Sequence, residues 1–223
     1  HSEIYKVGYP KMDPYFIDGN YDRTEILSSL GLDPDKPTVL FAPTYKPTCL
    51  YDLKDSIFKE TVKYNLIIKL HHYAWLGKYA PHSQHKIFED RIEQYPHAII
   101  IPKDHYNILP LLYVADTLIS EASGAITEFL ATGKTGIIYN LDQESLKHSD
   151  GETLLNFNNH EYLKDSFVHI NNKDKLMDGI EKALHPTVAM KKAQKVDQDK
   201  IFHGLDGKAS HRVKQTVEQL ISK

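Results

Sequence analysis

A serine–glycine pair at a strand-to-helix turn is the part of this chain whose residue types and spacing best suit chemistry. Ser123 and Gly124 follow an apolar run at 117–120 and precede a helical pattern at 125–132. The pattern predicts a buried strand, a tight loop over residues 121–124 and a helix. Such a helix directs free N–H groups and its positive dipole end beyond the sheet. We therefore predict phosphate binding at Ser123 and Gly124, although Ser123 can also serve only as the helix N-cap.

Polar side chains follow two other predicted strands. Thr44 and Lys46 come after the apolar run TVLFA at 38–42, and His71 comes after NLIIKL at 65–70. Lysine, histidine and threonine in such loops suit an anionic, phosphorylated ligand. His71 titrates near neutral pH, so it is a candidate phosphate donor, acid or base. The alternative for His71 is a structural histidine satisfied by the backbone.

Apolar runs and helical patterns alternate along the chain, and this alternation sets the fold class. Strands are predicted at residues 38–42, 65–70, 97–101, 117–120, 136–140 and 167–170. Helices are predicted at residues 23–30, 54–63, 87–94, 107–114, 125–132, 173–184 and 207–222. Strands that are apolar throughout are buried on both faces, as in parallel sheets covered by helices. The predicted fold is therefore α/β, a doubly wound, Rossmann-like parallel sheet that binds ligands at the carboxyl ends of its strands.

The composition argues against several classes of function. The chain has 223 residues and a net charge of -3, which does not favour binding to nucleic acid. No apolar run approaches the roughly 20 residues of a membrane span. The single cysteine, Cys49, excludes an intrachain disulfide and fits a reducing compartment.

Cofactor and metal motifs are also missing from the sequence. Neither the G-x-G-x-x-G fingerprint nor the Walker G-x-x-x-x-G-K-[ST] pattern occurs, which disfavours NAD and P-loop ATP sites. The 13 histidines do not follow a zinc-ligand spacing. We expect no cofactor and no dedicated metal site.

Five stretches in order resemble one protein family. They are GYPKMD (8–13), LFAPTYK (40–46), IIKLHH (67–72), DTLISEASGAITEFLATGKTGIIYN (116–140) and LDGKASHRV (205–213). They are similar to motifs of the CDP-glycerol glycerophosphotransferases of teichoic acid and capsule synthesis. The resemblance covers nearly the whole chain and implies the C-terminal, donor-binding domain of a GT-B enzyme. In that arrangement two Rossmann-like domains face each other across a cleft, and the other domain binds the acceptor.

The resemblance implies roles for individual residues. His71 falls on the motif histidine of the family. Lys208 and Ser210 lie in the D-G-K-A-S match, where a lysine and free N–H groups at a helix start would bind a second face of the phosphates. The alternative is that Asp206 caps an ordinary terminal helix. Glu128 lies ~130° from the centre of its helix's apolar stripe and is a candidate for the ribose diol, as in relatives, or a solvated glutamate.

Three positions depart from the family pattern. Glu121 stands for the aspartate before a serine pair, Gly124 for the second serine, and Lys46 for an arginine. The segment SGAITE also resembles the SGGIQE loop of UDP-N-acetylglucosamine 2-epimerases. Three interpretations stay open: transfer of glycerol phosphate from a CDP-glycerol-like donor, a UDP-sugar glycosyltransferase or epimerase, and a non-catalytic nucleotide-binding module.

The resemblance also implies an organisation and partners. We expect residues 1–36 to be an inter-domain segment packed on a donor-binding domain over residues 37–223. The opening HSEIYKVGYPKMD is typical of the middle of a longer protein, so we expect a fragment that binds donor but turns over poorly alone. The expected partners are the donor and a membrane-linked polymer acceptor bound by the other domain, which also supplies the general base. The expected location is cytoplasmic, with a peripheral position at the inner face of the membrane open to the full-length protein.

Overall fold

A parallel sheet lies at the centre of the computed structural model, which describes residues 3–76, 84–121, 123–141 and 161–222. Its six strands within these ranges are β1 (Thr38–Phe41), β2 (Asn65–Ile68), β3 (Ala98–Ile100), β4 (Thr117–Ser120), β5 (Ile137–Tyr139) and β6 (Val168–Ile170). The strand order is β3-β2-β1-β4-β5-β6, and every neighbouring pair is parallel. The order reverses between β1 and β4, so the carboxyl ends of these two strands border the crevice where such sheets bind ligands.

Helices surround the sheet. The described residues form α1 (Arg23–Ser29), α2 (Leu50–Leu53), α3 (Ser56–Glu60), α4 (Tyr73–Leu76), α5 (Lys86–Ile92), α6 (Leu109–Val114), α7 (Gly124–Ala131), α8 (Leu176–Leu184), α9 (Val188–Ile201) and α10 (Ala209–Ile221). Within the described ranges, 3₁₀ helices cover Pro10–Phe16 and Lys173–Lys175.

Both faces of the sheet are buried. Val39 and Phe41 of β1 pack into one hydrophobic cluster, whereas Leu40 packs into a second cluster on the opposite face. Alternate residues of a strand point to opposite faces, so a strand that serves two cores must be apolar throughout. This confirms the predicted doubly wound, Rossmann-like α/β fold.

All six predicted strands are present, whereas the helices differ from the prediction in several places. The helix predicted at 54–63 is shorter and is represented by α3 alone. The sequence patterns did not predict α2, α4, α9 or the 3₁₀ helix Pro10–Phe16. The last helix, α10, is buried only at Ala209, while its apolar residues Val217 and Leu220 are each 47% exposed.

The N-terminal segment packs on this domain. Met12, Leu27 and Leu32 are buried in the second hydrophobic cluster. Arg23 of α1 donates to the carbonyl oxygen of Val114, at 2.5 Å, and to the carboxylate of Asp116, at 2.9 Å. These contacts attach residues 3–36 to the edge of the sheet where β1 and β4 begin.

Candidate functional site

The turn after β4 has the predicted geometry of a helix start. Ser123 is the N-cap of α7, and its hydroxyl oxygen accepts from the N–H of Ala125 at 3.2 Å. Gly124 is exposed, and a β-carbon added there would meet no atom within 4 Å. Neighbouring protein atoms therefore do not require a glycine at this position. Ala122, in the same predicted loop, lies outside the described residues.

A buried carboxyl group joins the carboxyl ends of β4 and β1. Glu121 is fully buried and accepts from the backbone N–H of Thr44 at 2.9 Å and from its hydroxyl at 3.0 Å. The other carboxyl oxygen accepts from the thiol of Cys49 at 3.3 Å. Burial raises the pKa of Glu121, and hydrogen bonds from Thr48, Cys49 and Thr44 oppose the rise. Glu121 therefore anchors the loop that follows β1.

The thiol of Cys49 belongs to this network as a donor. Burial, together with the nearby Glu121, raises the pKa of Cys49 well above its ordinary value. The thiol consequently stays protonated at neutral pH and does not act as a thiolate nucleophile.

His71 is exposed after β2, and its ring packs against two tyrosines. The centroid of its ring is 4.7 Å from that of Tyr45 and 5.2 Å from that of Tyr73. Its Nδ1 accepts from the backbone N–H of Tyr73 at 3.1 Å, so neutral His71 carries its proton on Nε2. Desolvation, with the charges of His72 and Lys69, lowers the pKa of His71. The ring is therefore neutral at pH 7 and suited to donate a hydrogen bond.

The two predicted β1-loop residues differ in their surroundings. Thr44 is half-buried, and its hydroxyl also lies against the carbonyl oxygen of Pro47, so its protein contacts already use its single proton. Lys46 is exposed. Through Tyr45, the same loop brings Lys46 and Thr44 into the neighbourhood of His71.

Glu128 is a buried carboxylate with two side-chain partners, and not a solvated glutamate. It is buried, and its Oε1 accepts from the Lys11 ammonium at 2.5 Å and from the Tyr9 hydroxyl at 3.1 Å. Both partners come from the GYPKMD stretch near the N-terminus. The alternative of a solvated glutamate was therefore wrong.

A cavity of about 650 Å³ lies beside this pair. It is lined by residues 5–9, Gly124, Thr127, Glu128 and residues 199–203. Gly124 and Glu128 are four residues apart on α7 and share one face of the helix. Because Gly124 is at the helix start, the cavity opens beside the predicted phosphate site.

The start of α10 differs from the prediction. The N–H groups of Ala209 and Ser210 donate to the carboxylate of Asp13, at 2.9 and 2.7 Å. The expectation that these N–H groups are free for a phosphate was wrong, because Asp13 caps the helix. The predicted alternative cap, Asp206, accepts instead from the N–H of Lys208 at 3.0 Å. The side chains of Lys208 and Ser210 are exposed.

Arg212 completes a clamp between the two ends of the chain. Its guanidinium donates to both carboxylate oxygens of Asp206, at 3.0 and 2.8 Å, and to the carbonyl oxygen of Val7 at 2.9 Å. Gly8 has a φ of +91°, and a β-carbon there would lie 2.5 Å from the carbonyl oxygen of His203. We call this set of contacts, with Asp13, the terminal clamp. The terminal clamp holds residues 5–9 against residues 199–203, and both segments line the cavity.

The structure thus groups the predicted residues into three neighbourhoods. Ser123, Gly124 and Glu128 share the start of α7, and Thr44, Lys46 and His71 form a second group joined to it through Glu121. Lys208 and Ser210 belong to the terminal clamp. Sequence reasoning missed Lys11 and Asp13, although both lie in the GYPKMD stretch that it singled out.

The described residues also bear on metal binding and on membrane spanning. Among the described residues, no group of three or more His, Cys, Asp or Glu side chains is arranged to hold a metal ion. Along the same ranges, no helix is both long and apolar enough to cross a membrane.

The fold and the polar loops at its switch point define a Rossmann-like domain of the GT-B kind. The chain belongs to the CDP-glycerol:poly(glycerophosphate) glycerophosphotransferase family, whose model matches residues 1–219. No curated protein sequence matches the chain significantly.

Solved structures with the same fold include the wall teichoic acid polymerase TagF, at 19% identity and a TM-score of 0.68 over 98% of this chain and 53% of that one. A TagF variant soaked with CDPG matches at 20% identity and a TM-score of 0.65, over 98% of this chain and 51% of that one. The UDP-GlcNAc 2-epimerase from Neisseria meningitidis, bound to UDP-GlcNAc, matches at 14% identity and a TM-score of 0.56. The match covers 97% of this chain and 55% of the epimerase. The chain spans about half the length of these proteins.

Proposed function

We propose that this chain is the donor-binding part of a transferase that moves glycerol phosphate from CDP-glycerol to an acceptor hydroxyl in cell-wall or capsule polymer synthesis. One observation carries the proposal: in a chain of this family, Gly124 opens a helix start at the switch point, with unfilled space where a side chain would project. A phosphate can approach the backbone N–H groups closely only where no side chain blocks it.

The proposed reaction is a phosphoryl displacement. The acceptor oxygen forms a bond to the phosphorus of the glycerol phosphate unit, the bond from that phosphorus to CMP breaks, and CMP leaves. The acceptor proton passes to a base, which we assign to the other domain of the full-length protein. In this scheme residues 1–36 are the inter-domain segment and residues 37–223 the donor-binding domain.

This chain contributes fixed positive charge and donors. The start of α7 supplies N–H groups and the positive end of the helix dipole for charge that develops on the diphosphate. His71 supplies the Nε2 proton, because its Nδ1 already accepts from Tyr73. We propose that His71 acts as a hydrogen-bond donor to the donor phosphates.

The remaining predicted residues have supporting roles in the proposal. Glu128 borders the cavity one turn below Gly124, a position from which a carboxylate can accept from the ribose hydroxyls. Lys46 and Lys208 are exposed cations that can attract the diphosphate. Thr44 and Ser210 are proposed as weaker contacts, since the Thr44 hydroxyl and the Ser210 N–H already have protein partners.

The test is a calorimetric titration of the chain with CDP-glycerol and, separately, with UDP-N-acetylglucosamine. The proposal predicts selective binding of CDP-glycerol. Preference for the UDP-sugar would instead support a glycosyltransferase or epimerase. Binding of neither would contradict the assignment of the donor to this part of the enzyme.

Ser123→Asp and Thr187→Asp form a matched pair for the same titration. Each places a carboxylate at a helix N-cap, a position that accepts aspartate. Thr187 precedes α9, a helix of 14 residues or roughly 20 Å, whose far end lines the cavity. We expect Ser123→Asp to abolish CDP-glycerol binding by charge repulsion and Thr187→Asp to preserve it. Equal effects of the two substitutions would refute the phosphate site at α7.

A further inference from the structure

The ion pair between Lys11 and Glu128 places a cation beside the proposed phosphate site. The ammonium of Lys11 is 2.5 Å from Oε1 of Glu128, and the side chains are 48% and 9% exposed. The carboxylate is thus enclosed, while the Lys11 side chain that neutralises it is about half-exposed.

The geometry of α7 brings this cation close to the start of the helix. Gly124 and Glu128 are four residues apart, so they lie about 6 Å apart along the axis and on one face. A lysine ammonium has three N–H donors, of which Glu128 uses one. The other donors are available to an oxygen-rich anion at the start of α7.

The need for a cation at this position follows from the charges around it. An anionic diphosphate at Gly124 would meet the Glu128 carboxylate one helical turn away. Without Lys11 that carboxylate would be buried and uncompensated, and it would repel the ligand. Lys11 removes this repulsion and adds an attraction of its own.

We propose that Lys11 is a binding residue for the donor diphosphate, held in place by Glu128 and bridging that carboxylate to a phosphate oxygen. This inference rests on the proposed function. Lys11 stands within the GYPKMD stretch, so the terminal clamp, through Asp13, positions the cation on α7.

The experiment compares binding of CDP-glycerol and of cytidine, by calorimetry and by NMR titration, in wild type, Lys11→Met and Lys191→Met. Lys191 is an exposed lysine near the start of α9, away from the end of that helix that lines the cavity, and its loss changes the net charge equally. We expect Lys11→Met to weaken CDP-glycerol binding by about tenfold or more, cytidine binding by less than about twofold, and Lys191→Met to have little effect. Lys11→Arg, which keeps the charge, should stay within about threefold of wild type.

Three outcomes would overturn the inference while leaving the proposed function intact. They are equal effects of the Lys191 and Lys11 substitutions, an equal loss of cytidine and CDP-glycerol binding, and full recovery of affinity in the double variant Lys11→Met/Glu128→Gln relative to Glu128→Gln alone. The last result would mean that Lys11 only neutralises the carboxylate. Failure of wild type to bind CDP-glycerol would overturn the proposed function and this inference with it.

Discussion

Replacing Asp13 with asparagine should weaken the terminal clamp and reveal how the cavity wall is held. The Asp13 carboxylate accepts from the N–H groups of Ala209 and Ser210, at 2.9 and 2.7 Å, and is buried. In Asp13→Asn one carboxylate oxygen becomes an NH₂ group, which cannot accept from the second N–H. The change also removes a negative charge from the positive end of the α10 dipole.

The expected loss follows from these contacts. An N-cap replacement costs about 0.5–2 kcal/mol, and a hydrogen bond to a charged group contributes about 1.5–3 kcal/mol. Because asparagine keeps one acceptor, we expect Asp13→Asn to lower the free energy of unfolding by about 2 kcal/mol. For a chain of this size that corresponds to a decrease in Tm of about 4–8 °C.

The stability that Asp13→Asn loses should depend on pH, because the pKa of Asp13 differs between the folded and unfolded states. Burial raises the pKa of Asp13, but the N–H groups of Ser210 and Ala209 and the charge of Arg212 outweigh it, so the pKa of the folded state is lowered. The stabilisation is therefore complete above the ordinary carboxyl pKa of about 3.9 and is lost as the pH falls through the lower folded value. The difference between wild type and Asp13→Asn should narrow below about pH 4.

Urea denaturation at a series of pH values measures this difference. Asp18→Asn is the control, because Asp18 is an exposed carboxylate in the same segment. Asp13→Asn should also weaken CDP-glycerol binding, since the clamp holds Tyr9 and Lys11 against Glu128. Equal stabilities of the two variants at pH 7, or a difference that does not change with pH, would refute the role assigned to the clamp.

Other substitutions test the site itself. Gly124→Ala should keep folding stability or raise it by up to about 1 kcal/mol. The same substitution should reduce CDP-glycerol affinity, because the added β-carbon projects where the phosphate approaches. Unchanged affinity by calorimetry would contradict this. Glu121→Gln should lower the free energy of unfolding, measured by urea denaturation, by about 1–3 kcal/mol, because an amide NH₂ then faces the Cys49 thiol. An unchanged free energy of unfolding would show that Glu121 does not anchor the loop. NMR titration of the His71 ring should give a pKa below the ordinary value of about 6.5, with the proton on Nε2 when neutral; a higher pKa would contradict the surroundings described for the ring.

The sheet could be predicted from the sequence because burial on both faces leaves a direct trace. The strands TVLF and NLII each follow one polar residue with an unbroken apolar run, and both begin at the predicted residue. The helix α9 left no comparable trace, since its sequence is largely polar and it buries only Gln194. A helix held mainly by its neighbours has weak periodicity of its own.

The candidate site was only partly predictable, for a different reason. Ser123 and Gly124 carry a local signal, because an N-cap serine and a glycine follow directly on a buried strand. The contact between Asp13 and Ser210 joins residues 197 positions apart, and no local pattern reports such a contact. The same holds for Lys11 and Glu128, which are 117 positions apart. These polar residues meet their partners only in the folded chain, so the sequence alone does not predict the contacts.

The most direct test of the central claim is a crystal structure of this chain with CDP-glycerol. The account predicts phosphate oxygens within about 3 Å of the N–H groups at the start of α7, as expected for hydrogen bonds, with Lys11 on the same diphosphate. A diphosphate bound away from Gly124, for example at Lys208 beside α10, would contradict it.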